Sequence, residues 1–162
     1  MNRIFFLVCL MTTGFASAQN ELAGKVISVI DGNTIEVLAQ NNETYKMVLS
    51  GIDSPELTQE YGDKAKKFLE RLADQKDVVF HLQGKDRWGN YVGVILIKGE
   101  TDPRIELLKE GLAWTAEKNP LPELENYRTT AAEKGKGLWK QDNPIPPWIY
   151  RRQQSMMQPK SS

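Results

Sequence analysis

Thiols, histidines and net charge are what this sequence lacks. Its one cysteine is Cys9 and its one histidine is His81. Without a Cys/His set, a zinc site of the usual kind is excluded, and a disulfide within the chain would need a second cysteine. Basic and acidic residues balance at 21 each. The chain therefore has no overall basic field of the kind that draws in nucleic acid through phosphate neutralisation. Long apolar runs are missing too: the main one, residues 4–15, falls short of the ~20 residues that span a bilayer.

That run has another use. Met1-Asn2-Arg3 gives a positive start, residues 4–15 an apolar middle, and Ala16-Ser17-Ala18 the small-x-small form of a signal-peptidase site. A leader of residues 1–18 is expected to be removed, leaving Gln19 first; a membrane anchor is the alternative that the short run disfavours. Cys9 leaves with the leader, and its setting after Val8 is not that of a lipid-attachment cysteine. The mature chain keeps 144 residues (162 less 18), enough to bury a core without cross-links. One basic residue, Arg3, is lost, so 20 basic residues face 21 acidic ones, a net of −1. The expected location is outside the cytoplasm, periplasmic or secreted.

What is present reads first as strands. Residues 25–30 are apolar and β-branched, and Asp31-Gly32 follows as a turn pair. Residues 34–38 continue with partial alternation, Asn41-Asn42 turns the chain, and 45–49 form a third strand. Tyr61, Ala65, Phe68, Leu69 and Leu72 then mark one face of a helix. Strands return at 78–82 and 91–97 around the loop 84–90. Asp102-Pro103 reads as an N-cap with proline in the first helical position, and Ile105, Leu108 and Leu112 mark a short helix. A third helix is expected over about 121–134, with Gly135 as its stop. Residues 143–148, with three prolines, are expected to be non-helical and to wrap over the surface; from Arg151 on, a frayed tail is expected. Periodicity alone gives only an α+β domain with a small barrel; five short strands with one helix among them and two after suggest the Greek-key OB arrangement.

Seven phrases occur in order: Val29-Ile30-Asp31-Gly32-Asn33-Thr34, Gly51-Ile52-Asp53-Ser54-Pro55-Glu56, Tyr61-Gly62, Asp86-Arg87-Trp88-Gly89-Asn90, Gly111-Leu112-Ala113-Trp114, Gly137-Leu138-Trp139 and Pro147-Trp148-Ile149-Tyr150-Arg151. As an ordered set they resemble the staphylococcal nuclease-like (thermonuclease, TNase-like) family from Lys25 to about Arg152. The resemblance implies an OB-type five-stranded Greek-key β-barrel with three packed α-helices, over residues 19–152, with 153–162 as a flexible tail. It also implies Ca2+ as cofactor and phosphodiester cleavage of DNA and RNA, a partner class that the net charge does not support.

The resemblance further implies roles, residue by residue. Asp53 and the carbonyl of Ser54 stand at metal-ligand positions, Asp31 beside them, and Glu56 at the position that assists water attack. Hard oxygen donors suit calcium, and a positioned carboxylate can orient or deprotonate water. Three positions depart from the pattern. The first metal aspartate falls on Asn33, and the two phosphate-binding arginines fall on Val48 and Asn90. Asparagine still offers calcium an oxygen. Valine cannot donate to phosphate, and asparagine is no substitute for a bidentate guanidinium. Lys46 and Arg87 are the nearby cations able to compensate, and Trp88 is the candidate for base stacking.

Plainer roles stand beside these. Asp31 before Gly32 is favoured as a turn residue. Asp53 and Glu56 are as readily a strand-exit turn and a helix cap. Trp114, Trp139 and Trp148 are expected in the core or a lid, and His81 on a strand facing solvent. The function expected is that of an exported nuclease-fold protein with catalysis strongly reduced or lost and a binding role retained. A working Ca2+-dependent nuclease is one alternative, and a structural or protein-binding barrel another.

Overall fold

The structure, a computed structural model, describes residues 21–157. The expected leader, residues 1–18, lies outside them. Five strands close a barrel in the order β1-β2-β3-β6-β5: β1 is Glu21–Val29, β2 Thr34–Ala39, β3 Thr44–Leu49, β5 Asp77–Lys85 and β6 Tyr91–Ile97. All neighbours are antiparallel except β3 and β6, which run parallel with Val48 opposite Val92. Alternation sends Ile35, Val37, Met47, Leu49, Phe80 and Ile95 inward, each fully buried. Val48, between two inward residues of β3, points out and is half-buried.

Three helices match the apolar spacing: α1 Gly62–Ala73, α2 Pro103–Lys109 and α3 Pro122–Glu133. They contribute Ala65, Leu69, Leu107, Leu108 and Leu124 to the same core. Asp102 caps α2 by accepting the Arg104 amide at 2.9 Å. The Arg104 side chain also reaches the Ser50 carbonyl at 3.2 Å, tying α2 to the turn after β3. A short ladder lies outside the barrel: β4, Ile52–Asp53, pairs antiparallel with β7, Trp114–Thr115, and sets Asp53 opposite Trp114.

The chain's end differs from expectation. A fourth helix, α4, runs Pro147–Met157, so residues 147–148 are helical and the expected tail at 153 begins as helix. Proline is compatible with a first helical turn, where its fixed φ suits the helix and its missing N–H has no partner to lose. Contacts with the body hold α4 in place. Trp148 lies edge-on against Trp114 at 5.8 Å between ring centroids, and Trp114 against Trp139 at 4.4 Å. The Tyr150 hydroxyl donates to the Thr58 carbonyl at 3.1 Å. Among the described residues no helix is long and apolar enough to cross a membrane.

Candidate functional site

The open side of the barrel carries a cleft of about 760 Å³. Asp31, Asn33, Lys46, Val48, Asp53, Ser54, Glu56, Arg87, Trp88 and Asn90 all line it. Every position named for metal, catalysis, compensation or base stacking is thus brought to one place. The β1–β2 turn supplies Asp31 and Asn33, β3 supplies Lys46 and Val48, β4 and the following loop supply Asp53 to Glu56, and the β5–β6 loop supplies the rest.

Local hydrogen bonds show how each group is held. Asp31 accepts the Asn33 amide at 2.9 Å, a turn-closing bond of the kind aspartate makes with the backbone two residues on. The Asn33 side-chain oxygen accepts the Ser54 amide at 3.3 Å, and the Ser54 hydroxyl donates to the Gly32 carbonyl at 3.0 Å. This stitches the turn to β4, with a close approach that requires glycine: a Cβ on Gly32 would lie 2.6 Å from that of Ser54. Asn90 is turned into its own loop. Its side-chain nitrogen donates to Asp86 at 2.8 Å, while the Trp88 and Asn90 amides donate to the same carboxylate at 2.9 Å. Burial raises the Asp86 pKa, but the bonds from Asn90, Trp88 and Gly89 outweigh it and the net shift is downward.

The Glu56 carboxylate does not cap α1. The residue before that helix is Tyr61, with φ +71 and no side-chain cap. Glu56 faces instead a group that the sequence left without a role. Arg151 of α4 donates to both oxygens of Asp53, at 3.1 and 2.7 Å, and to Glu56 at 2.6 Å. The only sequence signal was its place in the Pro147–Arg151 phrase, which carries no charge-pairing pattern. Burial pushes the Asp53 carboxyl above its ordinary pKa; the Arg151 hydrogen bond and charge pull it down without reversing the shift. The Asp53 hydrogen bond holds Arg151 firmly in its charged form.

Five carboxylates line the cleft (Asp31, Asp53, Glu56, Asp86, Glu117) against three cations (Lys46, Arg87, Arg151), a formal charge of −2. Trp88 is 68 % exposed, with the Arg87 guanidinium 4.0 Å above its ring.

Comparison with known proteins gives this arrangement its context. The profile described as "Staphylococcal nuclease homologue" matches residues 46–141, more than half of the chain. The chain belongs to the staphylococcal nuclease family. A Haemophilus influenzae relative described as an uncharacterized endonuclease is 32% identical over 151 residues, covering 93% of this chain and 84% of that protein. One of Escherichia coli O157:H7, so described as well, is 31% identical over 132 residues, 81% of this chain and 86% of its own. A Shigella flexneri micrococcal nuclease is 29% identical over 143 residues, with 82% of each chain covered.

The staphylococcal nuclease family is generally calcium-dependent, so the donor set has to be weighed against calcium. Calcium takes six to eight oxygens, several from carboxylates. Among the described residues no three His, Cys, Asp or Glu side chains are placed to hold a metal together. The Asn33 oxygen is engaged by Ser54, and both oxygens of Asp53 by Arg151. With Arg151 docked, the residues present do not fit a divalent cation.

Proposed function

We propose that this chain is an exported protein of the staphylococcal nuclease family whose phosphodiesterase activity is strongly reduced or lost, and whose cleft keeps a binding role. One observation carries the reading: the three positions that should supply charge are Asn33, Val48 and Asn90, and two of the remaining carboxylates, Asp53 and Glu56, are bound by Arg151. A phosphodiester under attack gathers negative charge, and losing one preorganised donor there typically costs about 100- to 1,000-fold in rate. Two such losses lower the rate by several orders of magnitude, even without additivity. Export is supported by the order of charge, apolar run and Ala16-Ser17-Ala18 in residues 1–18.

A second reading has one observation in its favour. Lys46 and Arg87 line the same cleft as Asp53 and Glu56, so a relocated cation could serve a working nuclease.

The test is cleavage of denatured DNA by residues 19–162, with calcium and with chelator. The variant Asn33→Asp/Val48→Arg/Asn90→Arg is assayed alongside, with and without Arg151→Ala. The expected result is a silent wild type and a variant that cuts in at least one background. Calcium-dependent cutting by the wild type at rates like those of active relatives would overturn the proposal. A triple variant silent in both backgrounds would place the loss elsewhere in the chain.

A further inference from the structure

We propose that Arg151 is a tethered counter-cation, a guanidinium delivered by α4 that takes the place of a divalent ion at Asp53 and excludes one while it is docked. The inference rests on the reading above of a cleft with weakened charge, and adds how that cleft is regulated.

The geometry carries it. A divalent cation at Asp53 would need the carboxylate oxygens that Arg151 already holds in a fork, at 3.1 and 2.7 Å. The same guanidinium spans to Glu56 at 2.6 Å, so a single cation bridges the two acids that the sequence offers for metal binding and water activation. Fork-to-carboxylate pairing of this kind is directional as well as charged. Arg151 is itself exposed, and exposed pairs hold little preference for one geometry, but its main partner is fixed. Asp53 is only 19 % exposed, and its backbone is fixed opposite Trp114 in the β4–β7 ladder. Trp114 in turn packs against Trp148, one turn before Arg151 on α4. The ladder that places the acid therefore also places the helix that brings the base. Arg152 adds an ion pair from the next position to Glu117, another residue of the cleft wall.

Excluding a metal by a tethered side chain is a competition, and it has a direct readout. The full mature chain is melted with and without saturating calcium, for the wild type, Arg151→Lys and Arg151→Ala. Lysine keeps a point charge but loses the fork. Ligands that bind only the folded state raise Tm. The expected result is no calcium response in the wild type, a small one in Arg151→Lys, and a rise of about 5–10 °C in Arg151→Ala. Lys136→Ala, which breaks an exposed pair with Glu110 outside the cleft lining, should behave as the wild type does. If Arg151→Ala does not fold, Arg151→Gln, a shorter polar side chain without the charge, takes its place.

A wild type that calcium stabilises as much as it does Arg151→Ala would overturn the proposal. An Arg151→Ala or Arg151→Gln protein indifferent to calcium would overturn it too. The two proposals fail separately. Calcium binding by the wild type without cleavage removes the counter-cation and leaves the reduced-activity reading standing. Cleavage by a wild type with no thermal response to calcium does the reverse.

Discussion

The Arg151 guanidinium holds both carboxylate oxygens of Asp53 across 98 positions of chain. It joins the last helix to a two-residue strand about a third of the way along the sequence, and its anchor is the contact of Trp148 with Trp114. A tryptophan truncated to alanine in a packed setting costs about 3–5 kcal/mol, and an edge-on aromatic pair adds about 0.5–1.5 kcal/mol beyond area. Because Trp148 is half-buried, Trp148→Ala is expected to lower stability by about 2–3 kcal/mol in urea unfolding. Trp88→Ala, at an exposed ring, should stay within about 0.5 kcal/mol. Equal costs at the two sites would mean that α4 is not fastened through Trp148.

Acid sensitivity should trace in part to Glu125. Burial raises its pKa, but the Arg128 hydrogen bond at 2.7 Å and the Thr115 hydroxyl at 2.6 Å outweigh it, and the net shift is downward. A carboxyl whose pKa is lower folded than unfolded stabilises the fold above the unfolded value. It loses that contribution as pH falls through the folded one. Melting curves from neutral to acid pH should therefore show a shallower acid loss for Glu125→Gln than for the wild type. Parallel curves would count against this pair.

Two glycines separate steric from conformational cost. A Cβ on Gly62 would sit 1.9 Å from the Glu56 carbonyl oxygen, so Gly62→Ala must displace the loop that carries Glu56. Overpacking of this sort costs about 1–3 kcal/mol or more. Gly89, at φ +86, has nothing within 4 Å of its would-be Cβ. Gly89→Ala should thus cost only the left-handed backbone penalty of about 1–2 kcal/mol. Thermal melts of both variants check the order, with Gly62→Ala the more damaging.

Salt dependence tests the charge of the cleft. Its lining carries −2, so binding of single-stranded DNA is expected to be weak and only mildly salt-dependent. Adding two cations with Val48→Arg/Asn90→Arg should steepen the slope of log K against log salt by about 1.4, from about 0.7 per phosphate neutralised. Fluorescence anisotropy at several salt concentrations measures it. An unchanged slope would mean that positions 48 and 90 do not face bound nucleic acid.

By itself the sequence marked the strands and helices of a small barrel, and its ordered phrases, through the resemblance they carry, named the positions that line the cleft. Period-two alternation in residues 34–38 and 45–49, the Asp31-Gly32 turn and the 3.6-residue spacing from Tyr61 to Leu72 are local signals, and each strand or helix they mark forms within a few residues of its expected bounds. Asp53, Glu56, Val48 and Asn90 share the cleft because the folded chain sets β3 between β2 and β6 and brings the neighbouring loops to the same end. Tertiary structure alone decided α4 and Arg151. A segment with prolines at 144, 146 and 147 and a polar end lacks the apolar stripe that announces a packed helix. Its helix is fixed by contacts to Trp114, Thr58 and Asp53, residues 34 to 98 positions away. Side-chain pairing over such separations leaves no periodic trace, so the cation that neutralises the site becomes visible only when the chain has closed on itself.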